Sequence, residues 1–533
     1  MTKIKKYPFN KEKINQIRND DFGTDWPVVY MIEGEKEMYI GESTDVYSRT
    51  IQHLNDSRRD NLNDIHIISD EEFNKSATLD IESSLIQYIS ADGKFLLQNG
   101  NDGLVNHSYY DKQKYQAKFE ILWEELKKQG LVSKDLIEIR NSEIFKYSPY
   151  KALTEDQISI VESLLDEIKI ENKTFIIKGG PGTGKTILAI YLIKTLVELE
   201  ETKHLKIALV VPMTSLRKTL QSVFKGIKNL KSSMVIGPAE VVRQEYDLLI
   251  VDEAHRLKKR QNITNYEAFD KINKILGFGN DGTELDWILK RSKTQILFFD
   301  KNQSVRPSDI HYTNFEKLNS TVYELKTQKR IGENGEGDNY INFINSIFDQ
   351  IEYGDSKFEN YEFKIFDNLE EMVYQIKSKE KESGLSRLVS GYAWEWQSKN
   401  NPDKFDIEVD NVKLKWNSTN QNWVNSKNAI NEVGCIHTVQ GYDLNYAGVI
   451  IGPELSFDPY SNKFVIHAEH YRDKNGKRGV EDLEELKRYI INIYKTLLTR
   501  SIKGTYVYIF DENLRKHFLQ NYFNRNKNTV YIE

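Results

Sequence analysis

The chain carries a single cysteine, Cys435, in 533 residues. That excludes an internal disulfide framework and any cysteine-based zinc cluster. No apolar run approaches the roughly 18 to 20 residues that cross a bilayer, so no membrane partner is expected. Lysines occur in the first twenty residues, but no apolar core follows them, which argues against a signal peptide. A cytoplasmic location is the expectation. An excess of positive charge is missing as well: 74 Lys and Arg face 80 Asp and Glu, for a formal net charge of −6. Proteins that coat nucleic acid non-specifically are usually basic overall. Any nucleic-acid binding here must therefore use local grooves with a few placed cations. Internal repeats and long low-complexity tracts are also absent.

What is present is an ordinary folded composition, 39% hydrophobic and 29% charged, over a length too great for one core. Two to four domains are expected. Residues 28 to 100 read as a small α/β unit with a hairpin, helices and a closing strand. Tyr115, Phe119, Leu122 and Leu126 follow spacings of three and four, which predicts an amphipathic helix ending near Gly130. A polar segment then leads to Pro149, where the main boundary is placed. Beyond it, apolar strands at Phe175–Lys178, Ile207–Val211, Leu248–Val251, Gln295–Phe299, Gly448–Ile451 and Tyr506–Phe510 alternate with helical stretches. That rhythm predicts parallel sheets covered by helices.

Gly179-Gly-Pro-Gly182-Thr-Gly184-Lys185-Thr186 fits G-x-x-x-x-G-K-[ST], between an apolar strand and an apolar helix. The glycines let successive backbone N–H groups wrap phosphates at a helix N-terminus. Lys185 is expected to neutralise the β- and γ-phosphates of ATP, and the Thr186 hydroxyl to ligate Mg²⁺. Downstream, Leu248-Leu-Ile-Val-Asp252-Glu253-Ala-His255 reads as an apolar strand ending in two carboxylates. Alternation along a strand directs neighbouring side chains differently. Asp252 is thus assigned to the metal and Glu253 to the attacking water.

These motifs, in this order, resemble superfamily 1 helicases, and in detail the bacterial Schlafen group 3-like DNA/RNA helicases, from about Leu153 to Phe510. The resemblance implies roles for further residues. Gln157, in Leu153-Thr-Glu-Asp-Gln157, would read the adenine edge. Gln303, in Phe298-Phe-Asp300-Lys-Asn-Gln303, would link the γ-phosphate to the nucleic-acid path. Arg330, in Gln328-Lys-Arg330, and Arg500, in Leu498-Thr-Arg500, would be arginine fingers. Gln440 and Asp443, in Cys435-Ile-His437-Thr-Val-Gln440-Gly-Tyr-Asp443, would sense nucleotide and strand together. Asp443 stands where many members of the superfamily have glutamate.

A second constellation lies near the N-terminus. Val28-Val-Tyr30 and Tyr39-Ile-Gly41 are strand-like pieces around a turn at Gly34. Arg49 and His53 follow at i, i+4, on one helix face. Glu82 is an isolated carboxylate among Leu79, Leu85 and Ile86, and Asn99 follows Phe95-Leu-Leu97. This pattern resembles the GIY-YIG nuclease family over about residues 27 to 100. The resemblance implies that Tyr30 activates or positions water, Tyr39 orients the phosphate and Arg49 stabilises developing charge. His53 would be a further proton-transfer group, Glu82 would hold one Mg²⁺ or Mn²⁺, and Asn99 would brace the site. Val28 and Val29 stand where the family has glycine and isoleucine. A retained but inactive binding fold is the competing expectation.

Other features leave alternatives open. Tyr392, Trp394, Trp396, Trp416 and Trp423 could stack on bases, but core packing is the preferred reading for most of them. Lys258, Lys259 and Arg260 could meet a phosphate backbone or form a solvated loop, and His255 could relay the nucleotide state or make a structural hydrogen bond.

The expected organisation is α/β throughout: a GIY-YIG-like nuclease domain at 1–105, a helical connector at 106–148, and two RecA-like parallel-sheet domains at 149–325 and 326–533. The expected function is an ATP- and Mg²⁺-dependent helicase or translocase fused to a metal-dependent endonuclease, acting on DNA rather than RNA, in anti-phage defence. A DNA-repair helicase-nuclease, an ATP-gated sensor and an RNA-directed enzyme stay as alternatives. A homo-oligomer or a defence-system partner protein is left open.

Overall fold

A computed structural model describes residues 2–99, 109–168, 173–331, 336–351, 358–419 and 422–523. The expected boundary between residues 105 and 106 lies outside the described residues. The chain divides into two compact units. The first comprises residues 1–158, 186–204 and 220–234; the second comprises 159–185, 205–219 and 235–533.

The first unit is built on a five-stranded sheet in the order Lys3–Pro8, Leu62–Ser69, Val28–Gly34, Glu37–Ser43, Leu96–Leu97. All pairs are antiparallel except the last. The Lys3–Pro8 edge strand was not expected from the sequence. Strand alternation sorts the side chains onto two buried faces. Val29, Met31, Met38 and Ile40 pack with Ile81, Leu85 and Ile89 of the helix Lys75–Asp92. Tyr115, Phe119, Leu122 and Leu126 of the helix Lys112–Lys128 join the same core, and Gly130 follows with φ +71°. On the other face Val28, Tyr30 and Ile32 pack with Ile65, Ile67 and Val46. Val46 opens the helix Val46–Leu54, which Asp45 caps by accepting from the Ser48 backbone N–H at 2.9 Å.

The second unit holds two larger sheets. One is six-stranded and wholly parallel, in the order Ser320–Leu325, Thr174–Gly179, Ser292–Phe299, Tyr246–Val251, Ile207–Val210, Val235–Ile236. Its central strands are buried along nearly their whole length, so they read as continuous apolar runs rather than alternating ones. The other is seven-stranded, in the order Glu362–Phe366, Ser501–Ile509, Leu444–Ile451, Ser386–Ser390, Glu432–Cys435, Val412–Trp416, Ile407–Val409. It is parallel apart from the terminal Ile407–Val409 pairing. One face packs on the helices Glu336–Asp349 and Leu483–Leu498, and the other on Leu369–Ser383. The molecule is thus mixed α/β with two mainly parallel sheets.

Trp416 and Trp423 are buried, and Tyr392 stacks on Trp416 with centroids 5.4 Å apart, so these rings are core. Arg260 pairs with Asp270, and Lys258 bridges to Asp309 through its backbone. Among the described residues no helix is long and apolar enough to cross a membrane.

Candidate functional site

The strand Thr174–Gly179 ends at the glycine-rich loop, and the helix Lys185–Glu198 begins after it. Gly182 and Gly184 both have φ +79°, a conformation that L side chains rarely adopt. A Cβ on Gly182 would also lie 2.9 Å from Arg330 Cβ and from Gln328 Nε2. The loop is therefore approached closely by the Gln328-Lys-Arg330 segment, and the Lys329 N–H donates to the Gly182 carbonyl at 2.8 Å. Lys185 Nζ donates to the Gly179 and Gly180 carbonyls at 2.6 and 2.8 Å and lies 3.9 Å from Asp300 Oδ2. Thr186 and Gln157 fall in the first unit. Gln157 is buried, its Oε1 accepting from the Thr154 N–H at 3.0 Å.

The two carboxylates differ from their expected setting. The strand Tyr246–Val251 ends before them, so alternation does not separate Asp252 from Glu253. The separation comes instead from Glu253 turning into the left-handed region at φ 54° while its N–H donates to Asp252 Oδ1 at 3.0 Å. Asp252 is fully buried. His255 Nε2 lies 2.9 Å from Glu253 Oε2. Burial opposes ionisation of Glu253, but His255, Lys185 and Arg500 outweigh it and hold the carboxyl well below its ordinary range.

From His255 a polar chain runs into the second sheet. Its Nδ1 accepts from the Asp300 N–H at 3.3 Å. Asp300 Oδ2 accepts from Gln303 Nε2 at 2.7 Å, and Gln303 Oε1 accepts from Arg500 Nη2 at 3.3 Å. Arg500 Nη1 reaches the Tyr442 carbonyl at 3.5 Å. Lys185, Glu253, Gln303 and Arg500 are thus brought into one network. Gln440 is fully buried, and neither its Oε1 nor its Nε2 has a partner; Gln328 Nε2 is likewise unpartnered. Lys185 and Arg500, joined through Asp300 and Gln303, and the unpartnered Gln328 Nε2 beside Gly182 are donors of the kind that suits a polyphosphate. Arg330 donates to Asp443 rather than standing alone, at 2.6 Å. His437 Nε2 hydrogen-bonds Asp473 Oδ2 at 2.9 Å; burial and then Arg306 lower its pKa to about 4.

The first unit gathers the N-terminal candidates. Tyr30 pairs with Gly41 across the hairpin, and Tyr39 pairs with Ile32, which places both tyrosines on the face covered by the helix Val46–Leu54. A Cβ at Gly41 would lie 2.4 Å from Tyr30 Oη, so glycine is what lets that ring cross the strand. Tyr30 Oη and His53 Nε2 share a hydrogen bond at 2.9 Å, and the Tyr39 and His53 centroids are 4.7 Å apart. Burial, then Arg49 and Arg59, lower the His53 pKa to about 4. Arg49 faces both tyrosine hydroxyls, and the first of these bonds, to Tyr30, raises its pKa. Burial and the neighbouring Glu42 raise Glu82 to about 7. Asn99 is buried and braces the strand by accepting from the Ile40 N–H at 3.1 Å and donating to the Ile40 carbonyl at 2.8 Å. Sequence reasoning missed Arg59, whose guanidinium lies 3.9 Å from the Tyr39 centroid. Beside Arg58 it reads as half of an ordinary surface pair. Among the described residues no group of three or more His, Cys, Asp or Glu side chains is placed to hold a metal ion.

Comparison with known proteins gives three findings. Residues 172–511 match the family model for the Schlafen group 3, DNA/RNA helicase domain. An uncharacterized protein of Saccharomyces cerevisiae, YPL245W, is 27% identical over 420 residues, covering 69% of this chain and 89% of that protein. Among solved structures, the Pif1 helicase from Candida albicans is 11% identical with a TM-score of 0.29, covering 70% of this chain and 99% of that one. The arterivirus helicase, nonstructural protein 10, is 13% identical with a TM-score of 0.31, covering 67% and 63%.

Proposed function

This chain belongs to the Schlafen group 3 DNA/RNA helicase family, an NTP-dependent nucleic-acid motor by that membership, and on this premise we propose that its motor is coupled to phosphodiester cleavage by the N-terminal unit. The observation that carries the motor reading is the polar chain from Glu253 through His255, Asp300 and Gln303 to Arg500. It joins residues at the ends of strands in two different sheets. ATP binding at Lys185 would be registered by Arg500, because both contact the Asp300–Gln303 pair. The loop of Gly179, Gly182 and Gly184 would wrap the phosphates. Gln440 would satisfy its two free amide atoms on nucleotide or strand, while Arg330, oriented by Asp443, would meet the γ-phosphate.

Mg²⁺ keeps several waters and needs only one or two protein oxygens beside substrate phosphates. Asp252, fully buried just beyond its strand, would supply one such oxygen. The ion would polarise the γ-phosphate, and Glu253, held ionised, would orient the attacking water.

For the N-terminal unit we adopt the GIY-YIG reading. It is supported by the packing of Tyr30, Tyr39, Arg49 and His53 on one sheet face. Glu82, pushed up by burial and by Glu42, is a carboxyl that a divalent cation would relieve of repulsion. A single carboxylate fits an Mg²⁺ or Mn²⁺ whose other positions are filled by phosphate oxygens and water. His53, neutral at physiological pH, can accept the Tyr30 proton as that hydroxyl takes one from water. Arg49 would neutralise the charge growing on the phosphate. The substrate is proposed to be DNA, and the setting anti-phage defence.

The test is cleavage of plasmid and single-stranded DNA with Mg²⁺ or Mn²⁺, with and without ATP, by the wild type and by Glu82→Ala. Cleavage by the wild type alone, with ATPase activity unchanged in the variant, is the expected result. Nucleic-acid-stimulated ATPase activity with no cleavage by either protein would leave a motor with an inactive binding fold.

A further inference from the structure

Arg59 closes the short turn Ser57–Arg59, and the residue is 7% exposed. Its Nη1 donates to Gln98 Oε1. Gln98 is itself fixed, its Nε2 donating to Glu37 Oε2 at 2.7 Å, while Lys228 holds the other Glu37 oxygen at 2.7 Å. Arg59 Nε is buried without any hydrogen-bond partner. Asp60, next in sequence, is exposed and makes no ion pair with it, and Asp56 is taken by Arg58, which donates to it from Nε at 3.0 and 3.1 Å and from Nη2 at 2.8 Å. Among the described residues Arg59 has no ion pair with any carboxylate, and neither has Arg49.

A buried cation without a counter-ion is strongly destabilising unless an anion reaches it. Arg59 is held in place by uncharged contacts, a ring face at 3.9 Å and a neutral amide. A guanidinium with one end anchored in this way keeps a planar edge of parallel N–H donors for a bidentate oxyanion. The hydroxyl of the same Tyr39 faces Arg49. Two arginines lacking carboxylate partners therefore both meet Tyr39.

We propose that Arg59 is a second phosphate-binding site: it holds a backbone phosphate neighbouring the one that faces Arg49 and Tyr39, so that the strand is clamped at two phosphates beside Tyr39. The inference rests on the proposed cleavage site, to which it adds a substrate-positioning residue. Clamping two phosphates fixes the intervening sugar and leaves little freedom at the phosphodiester to be cut. Because both contacts are to phosphate, the clamp reads backbone rather than base.

The test uses the full chain carrying Glu82→Gln and a set of single-stranded oligodeoxynucleotides, each with one uncharged methylphosphonate linkage. Binding is read by fluorescence anisotropy. Each phosphate that the protein contacts shows as a linkage whose neutralisation weakens binding. Adding Arg59→Gln is expected to remove one such position, where neutralisation costs the parent about tenfold and the variant nothing. Positions contacted by the motor stay unchanged. Arg59→Lys, which keeps charge without the planar edge, is expected to retain that position at reduced magnitude. Identical patterns for the parent and Arg59→Gln overturn the proposal. If Arg59→Gln melts early, a Lys pattern equal to the parent's in position and magnitude overturns it instead. Loss of the position while the Glu82-bearing chain cuts nothing would keep the phosphate site and reject the cleavage reading.

Discussion

Arg330 donates from Nε to Asp443 Oδ1 at 2.6 Å and from Nη1 to the Thr499 carbonyl at 3.1 Å, while its Cβ packs against Gly182 of the phosphate loop. Asp443 thus orients an arginine that already lies beside the loop. Arg330→Ala is expected to lower the kcat of ATP hydrolysis by about a thousandfold. Asp443→Ala is expected to lower it about tenfold, by releasing the guanidinium from its alignment. The double variant should be no slower than Arg330→Ala alone, because the two residues act as a unit. Additive losses in steady-state ATPase assays would show that Asp443 acts independently.

Lys185→Ala is expected to abolish ATP hydrolysis, since the γ-phosphate loses its principal cation. Gly182→Ala should weaken nucleotide binding by a different route. It combines φ +79° with a Cβ 2.9 Å from Arg330 and Gln328, so the loop and the Gln328–Arg330 segment must part. Calorimetric titration with a non-hydrolysable ATP analogue checks this; unchanged affinity in Gly182→Ala would contradict the close approach.

Gly41→Ala is expected to abolish cleavage and leave ATPase activity intact. The added methyl would sit 2.4 Å from Tyr30 Oη and displace the ring from His53. Gly41 belongs to the first unit, whereas Lys185, Glu253 and Arg500 belong to the second. Asn99→Ala should act on stability, costing about 1–3 kcal/mol because the Ile40 N–H and carbonyl lose their partner. Denaturant unfolding measures it.

Glu454 is fully buried; burial raises its carboxyl to about 7, although Tyr494 donates to it, and its Oε2 has no partner. A folded pKa above the unfolded value means that the native state holds this proton more tightly. Stability attributable to the group is therefore full below the unfolded pKa and is lost as pH rises towards 7. Glu454→Gln, a neutral isostere, should gain on the wild type by up to about 3 kcal/mol at pH 8 and little at pH 4. Thermal melts at both pH values test it, and an equal shift at each would show that the carboxyl is already ionised when folded.

The sequence carried the motor's parts because each is a local pattern. Gly182, Gly184, Lys185 and Thr186 stand at fixed spacing between an apolar strand and an apolar helix. Gln303, Arg330, Gln440, Asp443 and Arg500 follow in order. The strands at Phe175, Ile207, Leu248 and Gln295 appear within a few residues of where the apolar runs place them. Shorter or more polar strands, such as Lys3–Pro8 and Ser320–Leu325, were not legible, because sheet neighbours rather than their own composition make them strands.

Which side chains answer one another was a matter for the tertiary structure. Sequence order placed Arg330 and Asp443 among separate nucleotide contacts; packing joined them in an ion pair. Strand alternation was expected to separate Asp252 from Glu253, yet a left-handed turn beyond the strand does so. Arg59 belongs to no sequence pattern, and it is the fold that lays it on Tyr39 and buries its Nε. Residue type and spacing thus determined the strand, glycine-rich loop and helix around Lys185, because such a unit is local. Orientation, burial and unmatched charge depend on residues distant in sequence, and only the folded chain brings those together.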